Sequence, residues 1–349
     1  MAPSLWLSEL FRNSAKKGST VQNRTLGRNG PTVFPIGLGC MAMSGMYGHA
    51  DDAESIATIH AALDAGITLF DTGDFYGMGH NELLLGRALA GARRERAFIQ
   101  IKFGAQRDPS GAWLGYDASP AAVKTALAYT LKRLGTDYVD LYQPARLDPD
   151  VPIEETVGAI AEMVEAGYVR NIGLSEMSPQ TIRRANAAHP ITALQIEYSL
   201  MSRGIETEIL PAVRELQIGV TAYGVLSRGL IAGRTTRTMN KSDIRTHFPR
   251  WSGANEGPNL ALVEQLAAIA REMNATAAQL AMAWVLSRGA DIIPLAGART
   301  REQLHDLLGA VDLKVSAFDL ERIERALPSD AVTGERYAPA AMASLDSEQ

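Results

Sequence analysis

The sequence predicts an α/β protein of the closed (β/α)8 barrel class, on three observations. Eight short apolar or β-branched runs recur along the chain, and stretches of helical spacing lie between them. Most steps from one run to the next span about 24 to 40 residues, the length of one βαβ unit. Eight such units in a chain of 349 residues fit a closed barrel better than an open sheet.

The elements follow in order. RTLGRNGPTVFPIG sets Asn29-Gly30 between short β-like runs, which predicts an N-terminal hairpin suited to plugging the bottom of a barrel. The eight strands are IGLGCM (36–41), ITLFDT (67–72), FIQIKFG (98–104), YVDLYQP (138–144), VRNIGLS (169–175), ALQIEY (193–198), GVTAYG (219–224) and DIIPLAG (291–297). Between them, AESIATIHAALDAG and PAAVKTALAYTLKRLG place apolar residues at i, i+3, i+4 and i+7, with Gly66 and Gly135 positioned to end each helix. The long step at 225–290 holds two extra helical stretches and a polar loop, TTRTMNKSDIRTHFPRWSGANEGPN, of the length expected for an active-site wall. Residues 1–23 read as a flexible extension without the pattern of a signal peptide, 24–330 as the barrel, and 331–349 as a C-terminal tail.

Composition narrows the function classes. A net charge of −5 offers no basic footprint for nucleic acid and no polybasic anchor for a membrane. No apolar run reaches the roughly 18 residues of a membrane span. A single cysteine excludes an internal disulfide and predicts a reducing, cytoplasmic setting. The six histidines show no metal-ligand spacing, so no metal is expected. GMG at 77–79 lacks the third glycine of a dinucleotide-binding turn, which argues against a doubly wound sheet.

Barrel chemistry is carried on the C-terminal ends of the strands. Asp71 ends the apolar run ITLF and Lys102 sits inside FIQIKFG, where an unpaired charge is costly. Singly, Asp71 reads as a turn cap, Lys102 as a snorkelling surface group and Tyr76 as a packing residue. Jointly they predict a charge pair on neighbouring strands beside a phenol, with the ammonium lowering the phenol's pKa into a useful range for proton donation. Ser175 and Gln195 are uncharged hydrogen-bonding groups at neighbouring exits, suited to an amide, and Tyr223 offers a flat ring with Gly224 and Gly229 nearby. GARTREQLHDLLGA opens a helix after the last strand, the usual phosphate-binding place, where Arg299, with Arg301 beside it, is able to fork onto a phosphate. Cys40, beside Met41, reads as a packing residue, with oxidation sensitivity as the alternative.

FDTGDFYGMGHNELLLGRAL resembles the aldo-keto reductase signature. The resemblance extends from residue 24 to about 325, through the GLG of the first strand, YVDLYQPARLDP, NIGLSE, LQIEYSLMSR, AYGVLSRGL and IPLAGARTREQL. It is strongest to the long-loop branch that includes perakine reductase and many microbial reductases. The resemblance implies catalytic roles for Asp71, Tyr76 and Lys102. It implies an NADPH site made by Gly39, Met41, Asp71, Ser175, Gln195, Tyr223, Gly224, Leu226, Ser227, Arg228, Gly229, Gly297, Arg299 and Gln303. Leu307 stands where the family commonly has an asparagine, and Ala145 where it has a histidine that binds the carbonyl oxygen. The loss of one such donor costs about 10²–10³ in rate unless another group compensates. The expected function is therefore NADPH-dependent reduction of an aldehyde or ketone, with an aromatic aldehyde or pyridoxal as the candidate substrate. Tyr76, Trp113, Ala145 and Arg146 are expected around that substrate, and Tyr142, Phe248 and Trp251 as further aromatic walls. The alternative is a nicotinamide-binding module with little turnover.

Overall fold

Side chains alternate across a strand, so a run such as Leu69, Phe70, Asp71 sends Leu69 and Asp71 to one face and Phe70 to the other. The computed structural model, which describes residues 21–28, 30–236, 239 and 243–349, closes eight such strands into a ring. In chain order the strands are β1 (Arg24–Thr25), β2 (Thr32–Val33), β3 (Gly37–Gly39), β4 (Leu69–Gly73), β5 (Phe98–Phe103) and β6 (Ala105–Arg107), followed by β7 (Trp113–Tyr116), β8 (Val139–Pro144), β9 (Val169–Ser175), β10 (Ala193–Glu197), β11 (Gly219–Tyr223) and β12 (Ile292–Gly297). The ring order is β10-β11-β12-β3-β4-β5-β8-β9, every neighbour parallel, and its members are the eight predicted strands.

Alternation layers the interior of the ring. At its lower end Leu69, Phe98, Leu141, Ala193, Ile293 and Leu295 form one apolar cluster. The hairpin β1–β2 covers that end, contributing Leu26 and Val33 to the cluster. Arg24 fastens it by donating to the carbonyls of Leu286, Gly289 and Ile292. Asn29 of the expected turn and residues 1–20 of the expected extension lie outside the described residues. Two positions further along the strands the inward side chains turn polar: Asp71, Gln100, Gln143, Gln195 and Thr221, all buried. Gln100 Nε2 donates across the ring to Thr221 Oγ1 at 3.1 Å.

The helices follow from their caps and apolar stripes. Pro120–Leu134 starts with Ser119 accepting from the Ala122 N–H, buries Val123, Leu127, Thr130 and Leu134, and ends at Gly135 with φ +66°. The two extra helices before β12 are Glu256–Glu272 and Ala277–Ser287, the second opened by a reciprocal cap between Thr276 and Gln279. The antiparallel pair β6–β7 is an addition to the expected elements. Its AQR and WLGY runs show no alternation. Asp108 folds the link between them by accepting from the N–H groups of Ser110 and Ala112. The chain after residue 330, expected as a tail, returns to the exit of β9, where the Ser347 N–H donates to the Glu176 carbonyl at 3.3 Å. Among the described residues, no helix is long and apolar enough to cross a membrane, and no cluster of His, Cys, Asp and Glu is arranged to hold a metal.

Candidate active site

A cavity of about 710 Å³ opens at the C-terminal ends of the barrel strands. A hollow of about 850 Å³ lies at the opposite end, but Arg24, one of the cations on its wall, is spent on backbone carbonyls. The upper cavity is where charged and aromatic groups converge.

Its floor is set by β4 and β5. Gly73 pairs with Lys102 in register, which puts Lys102 one inward level above Asp71. Lys102 Nζ and Gln195 Nε2 each donate to Asp71 Oδ1 at 2.6 Å. Burial holds the Lys102 pKa below its ordinary value; Asp71 opposes that shift and the nearby charge of Arg146 adds to it.

Tyr76 lies over this pair, 6% exposed, with Lys102 Nζ 5.0 Å from its ring centroid. The turn beyond it takes three left-handed residues in succession, Gly77, Met78 and Gly79, before the helix His80–Ala88 starts. A side chain at Gly77 would meet the Cβ atoms of Ser44 and His80 at 3.0 and 3.1 Å, so the GMG run is a tight turn packed beneath Tyr76. The expected lowering of the phenol's pKa by Lys102 is reversed in the structure. Burial, and next the charge of Asp71, raise it well above its ordinary value, and the cation that opposes them is Arg146. Tyr76 is a protonated donor at neutral pH.

The neighbouring exits supply the rest of the cavity wall. Gly39, Met41, Ser175, Gln195, Tyr223, Gly224, Leu226, Arg228, Gly229, Gly297, Arg299 and Gln303 all line it. Ser175 Oγ is buried and has no hydrogen-bond partner among the described residues. Gly224 sits at φ +68°, and a Cβ there would reach Glu197 Cγ at 3.0 Å, so glycine is required by conformation and by space. Ser227 is buried beside this wall and is not part of the cavity lining. At the exit of β12, Arg299 Nη1 donates to the Tyr47 and His49 carbonyls, and Gln303 accepts from the Arg299 N–H. Burial, then the charges of Arg234 and Arg245, push the Arg299 pKa down, with Asp243 opposing. Arg301 points away from this group and pairs with Glu54.

The expected substrate residues divide. Arg146 and Phe248 line the cavity. Ala145 is buried, its N–H donating to the Phe103 carbonyl, and is outside the lining. Trp113 is half exposed on β7 against Tyr116, and Trp251 is buried outside the cavity wall. Tyr142 alternates to the outer face of β8, stacks on Phe103 and donates to the Val123 carbonyl. Cys40 is sealed below the cavity with its thiol pKa pushed up by burial and by Asp71, which removes the thiolate that oxidation needs.

Sequence reasoning missed the layer contributed by the C-terminal segment. Arg336 donates to both oxygens of Glu176, at 3.0 and 2.6 Å, and reaches Glu348 at 2.7 Å. Burial works to raise the Glu176 pKa, but the bonds and charge of Arg336 outweigh it and hold the carboxyl down at about 2. Tyr337 lines the cavity and shares a 2.9 Å hydrogen bond with Tyr223, whose hydroxyl donates to Glu176 at 2.7 Å. Arg228 lies between the Phe248 and Tyr337 rings, 4.5 Å from each centroid, and pairs with Glu197. The signal available was the Arg-Tyr pair itself, an aromatic and a cation inside a polar stretch.

Residues 35–328 match the family described as "Aldo/keto reductase family". A curated protein of Glycine max, "Probable aldo-keto reductase 1", is 43% identical over 321 residues, covering 91% of this chain and 92% of its own. A solved glycerol dehydrogenase from Gluconobacter oxydans superimposes with a TM-score of 0.79 at 28% identity, over 92% of this chain and 99% of its own. An aldo-keto reductase from Bacillus halodurans, solved in its holo form, does so with a TM-score of 0.73 at 27% identity, over 88% of this chain and 97% of its own.

Proposed function

The chain belongs to the aldo/keto reductase family, and from that membership we propose that it is an NADPH-dependent reductase of aldehydes or ketones with Tyr76 as general acid. Carbonyl reduction with a nicotinamide cofactor is the general chemistry of the family. The observation that carries the specific reading is the stack of Asp71, Lys102 and Tyr76 facing one cavity, the carboxylate bound to the ammonium at 2.6 Å and the phenol protonated above them.

The residues present fit the cofactor. Ser175 Oγ is a buried polar atom with its hydrogen bonds unspent, a match for an amide group. Gly39 and Gly297 leave the wall open: a Cβ at Gly297 would meet nothing within 4 Å. Tyr223, Gly224, Leu226, Arg228 and Gly229 would form the adjoining wall, with Ser227 shaping the turn behind it. Arg234, Arg245 and Arg299 gather at the β12 end with Asp243 as the carboxylate among them, a charge balance that suits the 2′-phosphate of NADPH. These residues would hold the nicotinamide, whose chemistry there would be hydride transfer to a carbonyl carbon.

The chain's own residues supply the proton. Tyr76 holds its proton firmly until negative charge develops on the carbonyl oxygen, then donates it from Oη. The phenolate left behind forms beside two cations, Lys102 and Arg146. Asp71 fixes Lys102 beneath the ring and is itself oriented by Gln195. The walls of Phe248, Tyr337 and Phe75 suit an aromatic aldehyde, pyridoxal among them. A binding module with little turnover would not need a protonated phenol over a buried ion pair, so the reductase reading is preferred.

The test is NADPH oxidation across an aldehyde panel that includes pyridoxal. Turnover by the native protein, abolished in Tyr76→Phe with NADPH binding kept, is the expected result. Tight NADPH binding with no turnover on any aldehyde would overturn the reading.

A further inference from the structure

Most charges around the cavity are matched, and among those that are not, Arg146 stands beside the Asp71–Lys102–Tyr76 group while Arg299 stands at the β12 end. Lys102 faces Asp71 at 2.6 Å. Arg228, Arg250 and Arg336 share Glu197 at 3.0, 3.7 and 3.5 Å, and Arg336 also binds Glu176 and Glu348. Three guanidinium groups thus meet three carboxylates. Arg146, which lines the same cavity, has no carboxylate at ion-pair distance among the described residues. Glu176 lies near it but is saturated: its oxygens accept from Arg336, Tyr223, Ser347 and the Glu197 N–H.

The donors of Arg146 show which part of it is unspent. Nη1 donates to the Ala145 carbonyl at 2.6 Å, Nη2 reaches Tyr337 Oη only at 3.5 Å, and Nε is buried with no partner among the described residues. An Nε–H and a terminal N–H on one edge of a guanidinium form the two-pronged face that binds both oxygens of a carboxylate. A half-buried cation with an unmatched, buried Nε–H carries a cost, and a partner arriving from outside removes it.

Position separates this cation from the phosphate end. In the ring, β8, which delivers Arg146, adjoins β5 with Lys102, and β5 adjoins β4, which leads to Tyr76. The strand that delivers Arg299, β12, stands four places away, on the far side of the barrel. The mouth therefore has two separate cationic poles with the Tyr76 hydroxyl nearer to the Arg146 one.

We propose that Arg146 receives a carboxylate carried by the substrate, so that the enzyme selects carbonyl compounds bearing an acid group. This rests on the reductase reading above and adds the substrate class. Tyr337, hydrogen-bonded to Tyr223 and 3.5 Å from Arg146 Nη2, is the positioning residue beside that guanidinium.

The test compares 3- and 4-carboxybenzaldehyde with their methyl esters, using NADPH and the native protein. The acids are expected to exceed the esters in kcat/KM by roughly 10–100-fold, the worth of hydrogen bonds to a charged group, with the difference in KM. In Arg146→Met that acid-to-ester ratio collapses toward one, and Arg146→Lys, which keeps the charge and loses the fork, restores part of it. Equal rates for acid and ester in the native protein would overturn the proposal. So would a ratio that survives in Arg146→Met while both rates fall, which would assign Arg146 to the reacting oxygen instead. Benzoate binding measured by calorimetry is independent of turnover: binding by the native protein that is lost in Arg146→Met supports the site, and no binding by the native protein removes it. Ester turnover without acid preference sinks only this proposal, whereas absence of all turnover with benzoate binding intact sinks only the reductase reading.

Discussion

The mouth of the barrel has two sides built in different ways. On the Arg299 side, Tyr223, Gly224, Gly297 and Arg299 are the last residues of their strands or lie in the turns that follow. Their placement follows from strand geometry alone. On the Arg146 side, the wall is completed by Tyr337 with Arg336 behind it, held through partners 191 and 160 positions distant in the chain. The lesson is that a barrel provides its strand-exit groups by periodicity, while a charge network over the mouth depends on side chains meeting after the chain has closed.

The largest expected effect tests the point where the two sides meet. Tyr76→Phe removes one hydroxyl from a ring that keeps its packing on Phe75. Loss of general-acid catalysis typically costs about 10²–10⁴ in rate. The fall should appear in kcat, with NADPH affinity unchanged by fluorescence titration. A comparable loss of NADPH affinity would show that Tyr76 belongs to the binding wall on both sides.

Ion pairs sharpen the contrast next. Arg336→Ala strips both guanidinium bonds from the buried Glu176, and breaking a buried pair costs about 3–5 kcal/mol. Arg301→Ala removes an exposed pair with Glu54 and should cost less than about 1 kcal/mol. Urea unfolding of both variants measures the difference. Glu176 adds a pH signature. Its carboxyl is held at about 2 in the folded protein against an ordinary 4.5, so its contribution is present above pH 4.5 and is lost as pH falls toward 2. Arg336→Ala should flatten that acid limb.

These differences explain what the sequence made legible. Short apolar or β-branched runs located all eight barrel strands, because a parallel strand covered on both faces is buried almost throughout, as in Leu69–Gly73 and Phe98–Phe103. The pairing of Asp71 with Lys102 was legible because adjacent strands in register leave few other partners. The sign of the Tyr76 shift was not, since it depends on how completely the cavity buries the ring. Tyr142 and Trp113 show a related limit: both are aromatic and near strand exits, but one turns to the outer face of β8 and the other rides on an added hairpin. Arg336 and Tyr337 carried no periodic signal, since an irregular segment has no repeat from which to read a direction.

On the Arg299 side, a smaller effect is expected. Arg299→Ala leaves Arg234 and Arg245 in place. Losing one charge-assisted contact should weaken NADPH binding by roughly ten-fold to a hundred-fold while leaving NADH nearly unchanged. An equal loss for both cofactors would mean that Arg299 acts by holding the Tyr47–His49 turn through its two carbonyl bonds, a structural role.

A last, pH-dependent effect concerns a group behind the Tyr76 turn that belongs to neither side. Asp74 has one carboxyl oxygen buried without a partner among the described residues, and burial, reinforced by the charge of Glu82, pushes its pKa up to about 7. Arg133 opposes the shift but is engaged with Glu82. The folded protein therefore binds this proton more tightly than the unfolded chain, where the value is near 3.8. Stability from this group is fully present below about pH 4 and is lost as pH rises toward 7. Asp74→Asn keeps the shape and removes the titration, so its stability relative to the native protein should improve between pH 5 and pH 8. Urea midpoints at the two pH values measure this. Parallel changes in native and variant proteins would mean that the Asp74 carboxyl stays ionised and that the turn beneath Tyr76 tolerates its charge.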